Sequence, residues 1–182
     1  MKDLSLHLLD IVQNSIAAQA SRIDVILEVD LKFDYLALII SDNGKGMDAE
    51  FLQQITSPFT TSRTTRKVGL GIPLLMQNAE RTGGNLEITS TVGRGTTLKA
   101  TFHPNHIDCP PMGDLAGVTA QLICSFPSVS FSFTFKNGTA EYTITTSELV
   151  EALEGIPINN TSVFPLVKQV IDSSLEELRF PV

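Results

Sequence analysis

A chain of 182 residues, 42% of them hydrophobic, has enough apolar material for one good core and a second, smaller one. Its 20 acidic and 13 basic residues give a net charge of −7, which repels a phosphate backbone and argues against nucleic-acid binding by bulk electrostatics. Two cysteines, Cys109 and Cys124, are too few for the framework of a secreted domain, the first ten residues lack a signal-peptide pattern, and no run approaches the roughly 20 apolar residues of a membrane span, so a cytoplasmic protein without membrane contact is expected.

Leu4, Leu8, Ile11, Val12, Ser15 and Ile16 recur at three- and four-residue spacing, which predicts an amphipathic helix over 4–20 with Asp3 as its N-cap. Asp10 and Asn14, four apart, share one face of it. Alternation of Ile23, Val25, Leu27 and Val29 predicts a strand over 22–29, and Leu36–Ile40 a second one that runs straight into Ser41-Asp-Asn-Gly-Lys-Gly-Met47. A strand ending in a glycine-rich turn is where a ligand can come close to backbone. A short helix over 49–55 is followed by a polar, threonine-rich stretch carrying Arg63, Arg66 and Lys67. Gly69-Leu70-Gly71-Ile72 then opens a helix that runs through Arg81 and closes at Gly83-Gly84, and strands over 86–90 and 96–102 flank a glycine-containing turn.

The segment 103–113, with Pro104, Pro110 and Pro111, reads as a linker. Beyond it come a helix near 114–124, a strand with Val129, Phe131, Phe133 and Phe135 on one side, an Asn137-Gly138 turn, a partner strand over 140–145, and helices near 147–153 and 162–178. Residues 1–104 carry 11 acidic and 10 basic side chains, residues 105–182 nine and three. Two units are therefore expected: 1–104, and a small acidic α+β segment, 105–182, packed on the first and meeting a protein partner.

Taken singly, Asp42-x-Gly44-x-Gly46 reads first as a polar turn, and Gly69-x-Gly71 equally as an ordinary helix start or as one whose free N–H groups receive an anion. His103, His106 and Cys109 have metal-like spacing, but three ligands without a near fourth make a poor zinc site, and ordinary linker residues are the favoured reading. His7 is expected on the helix surface or packed, not as a phosphoacceptor.

Together the motifs resemble the Bergerat ATP-binding superfamily of sensor histidine kinases, type II topoisomerases, mismatch-repair ATPases and heat-shock chaperones. Leu9–Ala20 is similar to its N box, Asp42–Met47 to its first glycine box and Gly69–Ile72 to its second, with Phe59-Thr-Thr before the lid and Gly93-Arg-Gly-Thr96 before the last strand. The resemblance covers roughly 4–102 and implies an α/β sandwich, a mixed sheet backed by helices, that binds ATP with Mg2+. It implies that Asn14 completes the magnesium shell, Asp42 accepts the adenine amino hydrogen, and Gly44 and Gly46 make room for base and sugar. Met47 lines the base pocket or simply packs, Gly69, Leu70 and Gly71 cradle the triphosphate, and Thr96 assists adenine recognition. Arg63, Arg66 and Lys67 are candidate phosphate contacts. Asp10 stands where hydrolysing branches place a glutamate base, one methylene shorter, so its role as base or as a surface or second-shell carboxylate stays open. Three functions follow: a slow ATPase coupled to a protein–protein switch, a protein kinase (of the histidine kind acting in trans, or an anti-sigma-like serine kinase), or a binding module without turnover. A homodimer is left open.

Overall fold

The structure is a computed structural model that describes residues 3–56 and 70–181. Six strands form one mixed sheet: β1 (Arg22–Asp30), β2 (Tyr35–Asp42), β3 (Leu86–Thr91), β4 (Gly95–Phe102), β5 (Ser130–Asn137) and β6 (Ala140–Thr145), in the order β3-β4-β2-β1-β5-β6. All neighbours are antiparallel except β1 and β5, which run parallel with Arg22 opposite Ser130 and Val29 opposite Asn137. The helices are α1 (Leu4–Ala17), α2 (Ala49–Thr56), α3 (Gly71–Arg81), α4 (Leu115–Ser125), α5 (Thr146–Ala152) and α6 (Val163–Glu177).

Period-two alternation sends Ile23, Val25, Leu27 and Val29 of β1 to one face, and the register aligns them with Ile40, Leu38 and Leu36 of β2 and with Phe131, Phe133 and Phe135 of β5. Against that face lie Leu4, Leu8, Ile11 and Val12 of α1, Leu75 and Ala79 of α3, most of α4, and Val163, Val167, Ile171 and Leu175 of α6, in one continuous core. Truncating a fully buried phenylalanine such as Phe133 would cost about 3–5 kcal/mol. The other face carries Asp24, Glu28, Thr97, Lys99, Ser132 and Thr134, as expected of a sheet wetted on one side.

The tail beyond residue 104 does not stand apart, because β5 and β6 extend the sheet through β1, and the phenylalanine row lies under the helices as expected. The proline-rich linker is likewise fastened down. The carbonyls of Pro111 and Met112 accept from Leu4 N and Ser5 N at 2.9 Å each, and Asp3 Oδ1 accepts from Leu6 N, so three of the four N–H groups that α1 cannot satisfy internally find partners. Helix α1 ends at Ala17, three residues earlier than the apolar spacing suggests, since Gln19 turns into the left-handed region at φ 63°.

His7 faces inward and is fully buried. Its Nε2 lies 2.8 Å from Asn78 Nδ2, tying α1 to α3, while Nδ1 has no partner among the described residues. Burial pushes its pKa down to about 4. A base whose folded pKa lies below its unfolded value of about 6.5 withholds stability as the pH falls from 6.5 toward 4, by about 3 kcal/mol in all. Urea unfolding at pH 7.5 and pH 4.5 should therefore show a steeper acid loss in the unaltered chain than in His7→Leu; parallel losses would mean that His7 titrates normally.

Candidate functional site

At the carboxyl end of β2 the chain delivers Asp42 to the edge of the core, where both carboxylate oxygens are held. Ser15 Oγ donates to Oδ2 at 2.7 Å and Gly44 N donates to Oδ1 at 2.8 Å. Charge-assisted bonds of this kind fix the plane of the carboxylate and leave its remaining lone pairs for a ligand. Thr96 stands opposite Asp42 in the β2–β4 register. Its hydroxyl lies 2.9 Å from Ser90 Oγ, which in turn accepts from Met47 N at 2.8 Å.

The turn after Asp42 is clamped from several sides. Asn43 Oδ1 accepts from Ser21 N and Arg22 N at 2.9 Å each, Lys45 N donates to the Ala18 carbonyl, and Gly93 N donates to the Lys45 carbonyl. Glycine is required at position 46 for two reasons: its φ is +66°, and a Cβ there would overlap the Thr91 carbonyl. Position 44 is nearly as tight, since a Cβ would sit 2.9 Å from the Ala18 carbonyl.

These elements enclose a cavity of about 210 Å³ between α1, α2, the turn and the sheet. Asn14, Asp42, Gly46, Met47 and Thr96 line it, joined by apolar walls from Ile40, Ile55, Ile72, Ile88 and Leu98. An apolar cavity with one anchored carboxylate in its lining suits a planar ring bearing an N–H donor. Asp10, Gly44 and Gly71 are each next in chain to a lining residue without being part of the lining, and Leu70 lies two residues before Ile72.

Helix α3 begins with Leu70 as a cap that makes no side-chain bond, and Pro73 brings no N–H to the first turn. Among the described residues the amides of Gly71 and Ile72 find no acceptor, an arrangement that favours an anion. The carboxylate of Asp10 packs onto Gly71, where any Cβ would collide with it. Asp10 has no hydrogen bond or ion pair among the described residues, and Asn14, four residues on, is exposed on the same side of α1. Arg63, Arg66, Lys67 and Gly69, as well as the Phe59-Thr-Thr motif, lie outside the described residues.

Three participants escaped sequence reasoning. Ser15 stood out only as the one polar member of an apolar stripe, a pattern that does signal a buried partner; Ser90 and Asn43 carried no such mark. His103, His106 and Cys109 are engaged separately, His103 Nδ1 with the Asp34 carbonyl at 3.0 Å and His106 Nδ1 as acceptor from Asp108 N, and no group of three or more metal-ligating side chains occurs among the described residues. No helix there is long and apolar enough to cross a membrane.

The family model described as "Histidine kinase-, DNA gyrase B-, and HSP90-like ATPase" matches residues 2–106. A "Putative sensor protein" of Shewanella frigidimarina is 33% identical over 97 residues, 52% of this chain and 15% of that one. The "Sensor kinase CckA" of Brucella abortus is 37% identical over 76 residues, 41% of this chain and 8% of that one. The chain thus spans less than a fifth of the length of either relative. Among solved structures, the "N terminal domain of a DNA repair protein" superposes with a TM-score of 0.56 at 17% identity, covering 79% of this chain and 52% of that one. The topoisomerase IV ATP-binding domain of Francisella tularensis superposes with a TM-score of 0.52 at 14% identity, covering 79% of this chain and 87% of that one. Both superpositions cover more of the chain than the family model does, so the shared fold takes in part of the tail.

Gly46 and Gly93 provide a matched test of the clamped turn. Both have positive φ, but a Cβ at Gly93 meets nothing within 4 Å. Chemical denaturation should show Gly93→Ala losing about 1 kcal/mol from backbone strain alone, and Gly46→Ala at least about 3 kcal/mol because the Thr91 backbone must also move. Equal losses would refute the close packing of this turn.

Proposed function

The chain belongs to the histidine kinase-, DNA gyrase B- and HSP90-like ATPases, and from that premise we propose that it binds ATP in the cavity beside Asp42, hydrolyses it slowly, and uses the bound state to alter its contact with a protein partner through residues 105–182. The observation that carries the nucleotide assignment is the Asp42 carboxylate, anchored at both oxygens and open on the cavity side. It accepts an exocyclic amino hydrogen from adenine, whereas the keto oxygen of guanine would face a negative charge. Thr96 and Met47 complete the base slot, and the Gly71 and Ile72 amides face the phosphates from the start of α3.

Asn14 offers a carboxamide oxygen at the mouth of the cavity, a hard donor of the kind Mg2+ accepts singly while it keeps phosphate and water oxygens. Bound there, the ion would supply neutralisation of phosphate charge. Asp10, on the same side of α1 and packed against the start of α3, takes a proton from an attacking water in this reading. Its arm is one methylene shorter than a glutamate's, so turnover falls below the usual enzyme range of about 1–10³ s⁻¹. Phosphotransfer to a protein is the second reading, favoured by the name of one of the relatives, a sensor kinase. Transfer of γ-label to a co-purified protein distinguishes it from release of free phosphate.

Calorimetry tests the pocket. Asp42→Asn should weaken ATP binding roughly 10- to 100-fold, the value of a hydrogen bond to a charged group, and erase the preference over GTP. Asn14→Ala should reduce affinity measured with magnesium far more than affinity measured with chelator. Unchanged ATP and GTP affinities in both variants would overturn the assignment.

A steady-state phosphate assay tests the base. Asp10→Asn keeps the shape and removes the proton acceptor, so release should stop while ATP affinity persists, and Asp10→Glu should accelerate it if the cavity admits the longer arm. Equal rates in the unaltered chain and Asp10→Asn would eliminate general-base hydrolysis and leave phosphotransfer or binding alone.

A further inference from the structure

At the far end of the sheet from the nucleotide cavity's walls in β2 and β4, β6 is an edge strand with backbone left unpaired. Hydrogen bonding alternates along an antiparallel pair, and the two-residue turn closes on the bonded pair Asn137 and Ala140, so residues 140, 142 and 144 of β6 address β5. The opposite parity on β5 agrees: Ser130 N reaches across to the Ser21 carbonyl and Gly138 N to the Val29 carbonyl, toward β1. Glu141, Thr143 and Thr145 therefore point their backbone groups outward. Thr145 N is taken by Glu148 Oε2 in the capping box of α5. The N–H and C=O of Glu141 and of Thr143 have no partner among the described residues.

This edge is flanked rather than bare. A groove of about 580 Å³ runs between β6 and the C-terminal half of α6, with Glu141 and Tyr142 on one wall, Ser174, Glu177 and Leu178 on the other, and Arg179 at its end. One and two turns back along the same side of α6 stand Val170 and Leu166, 49% and 57% exposed. Residues 140–182 carry seven carboxylates against Lys168 and Arg179, and Lys168 is already paired with Asp114 and Asp172. Glu151, Glu154, Glu176 and Glu177 have no cationic partner among the described residues.

An unpaired strand edge beside a helix, with apolar side chains and uncompensated carboxylates along it, has the ingredients of strand addition: main-chain bonds provide the hold and the flanking pocket the selectivity. We infer that β6 and α6 form a docking groove for an extended segment of a protein partner in which basic and apolar residues alternate. The added strand bonds to Glu141 and Thr143 and alternates in step with β6, its apolar side chains on the core side against Tyr142, Val170 and Leu166, and its basic ones on the opposite face beside the exposed Glu141, which also meets Lys136, in the field of the surplus carboxylates. A second copy of this chain, adding β6 to β6, would bring Glu141 and Glu177 against their own kind and is disfavoured by like charge.

The test uses the full isotope-labelled chain and two synthetic octapeptides, one alternating lysine and valine, the other glutamate and valine. Amide hydrogen exchange should slow at least tenfold at Glu141 and Thr143 with the lysine peptide and stay unchanged with the glutamate peptide, while Tyr142 and Ile144, already bonded to β5, do not respond. In Thr143→Pro, which removes an outward N–H and the exposed hydroxyl contact with Thr134 but leaves the β5 backbone ladder intact, affinity for the lysine peptide should fall at least fivefold, whereas Thr143→Val, which loses only the hydroxyl contact, should keep it. No slowing with the lysine peptide at millimolar concentration overturns the inference, as does equal slowing by both peptides. Protection that rises with protein concentration in the absence of peptide identifies a second copy as the occupant and overturns it as well.

Discussion

A carboxylate at the end of an apolar strand is costly unless its oxygens are bonded, and the placement of Asp42 constrains much of what surrounds it. One donor comes from the helix in front, Ser15 on α1, and the other from the turn behind, Gly44. Meeting both demands sets α1 across the end of β2 and bends the chain immediately after Asp42. That bend in turn is held by the Ala18 carbonyl, the Asn43 carboxamide and the turn between β3 and β4. The cavity is the space left when these fastenings are made. Its walls are apolar because they belong to the same core face that packs the sheet.

The local grammar of the chain was largely readable. Asp3 caps α1 as expected, Asp114 caps α4 from the position expected to be its first residue, Gly83 takes the left-handed turn that ends α3, and Asn137-Gly138 closes the β5–β6 hairpin. These features depend on neighbours in sequence, and their physics is contained within a few residues. What could not be read was long-range. Nothing in Phe131, Phe133 and Phe135 says that they will run parallel to β1, because a buried strand has the same alternation whichever neighbour it takes. The spacing of Asp10 and Asn14 placed them on one face of α1, but it took the packing of α1 against α3 to bring the Asp10 carboxylate onto Gly71. His7 was assigned to the surface or the core without a decision, since one imidazole on an amphipathic helix can serve either, and only Asn78, 71 residues away, makes the buried choice tolerable.

The two ends of the sheet have different characters. Toward β2 and β4 the backbone is folded back on itself and Gly44, Gly46 and Gly95 are closely confined; toward β6 the last strand is short and open, and the helix beside it shows apolar side chains to solvent. Two hydrogen-bonded paths join them, one across β1 and β5, which share a ladder, and one through α1 and the linker carbonyls of Pro111 and Met112 that hold its first turn, beside the side-chain packing of α1, α4 and α6 in the common core. Both routes are rigid, short and made of backbone hydrogen bonds. A shift in α1 on nucleotide binding would therefore be felt at the start of the tail.

The parallel pairing of β1 with β5 also has a consequence for how the chain is made. Strand β1 is complete after Asp30, yet the strand that covers its second edge begins only at Ser130, about one hundred residues later. At synthesis rates of roughly 5–20 residues per second, that edge waits several seconds for its partner even before the exit tunnel is counted. Throughout that interval the nascent chain can build β2, β3 and β4 around the future pocket, while Ile23, Val25, Leu27 and Val29 remain short of the α4 and α6 side chains that finally bury them. The long loop between the paired strands makes folding slow by topology, and it exposes a sticky strand edge during translation. The order in which the parts emerge is thus a physical constraint on this fold, separate from those that hold the finished molecule together.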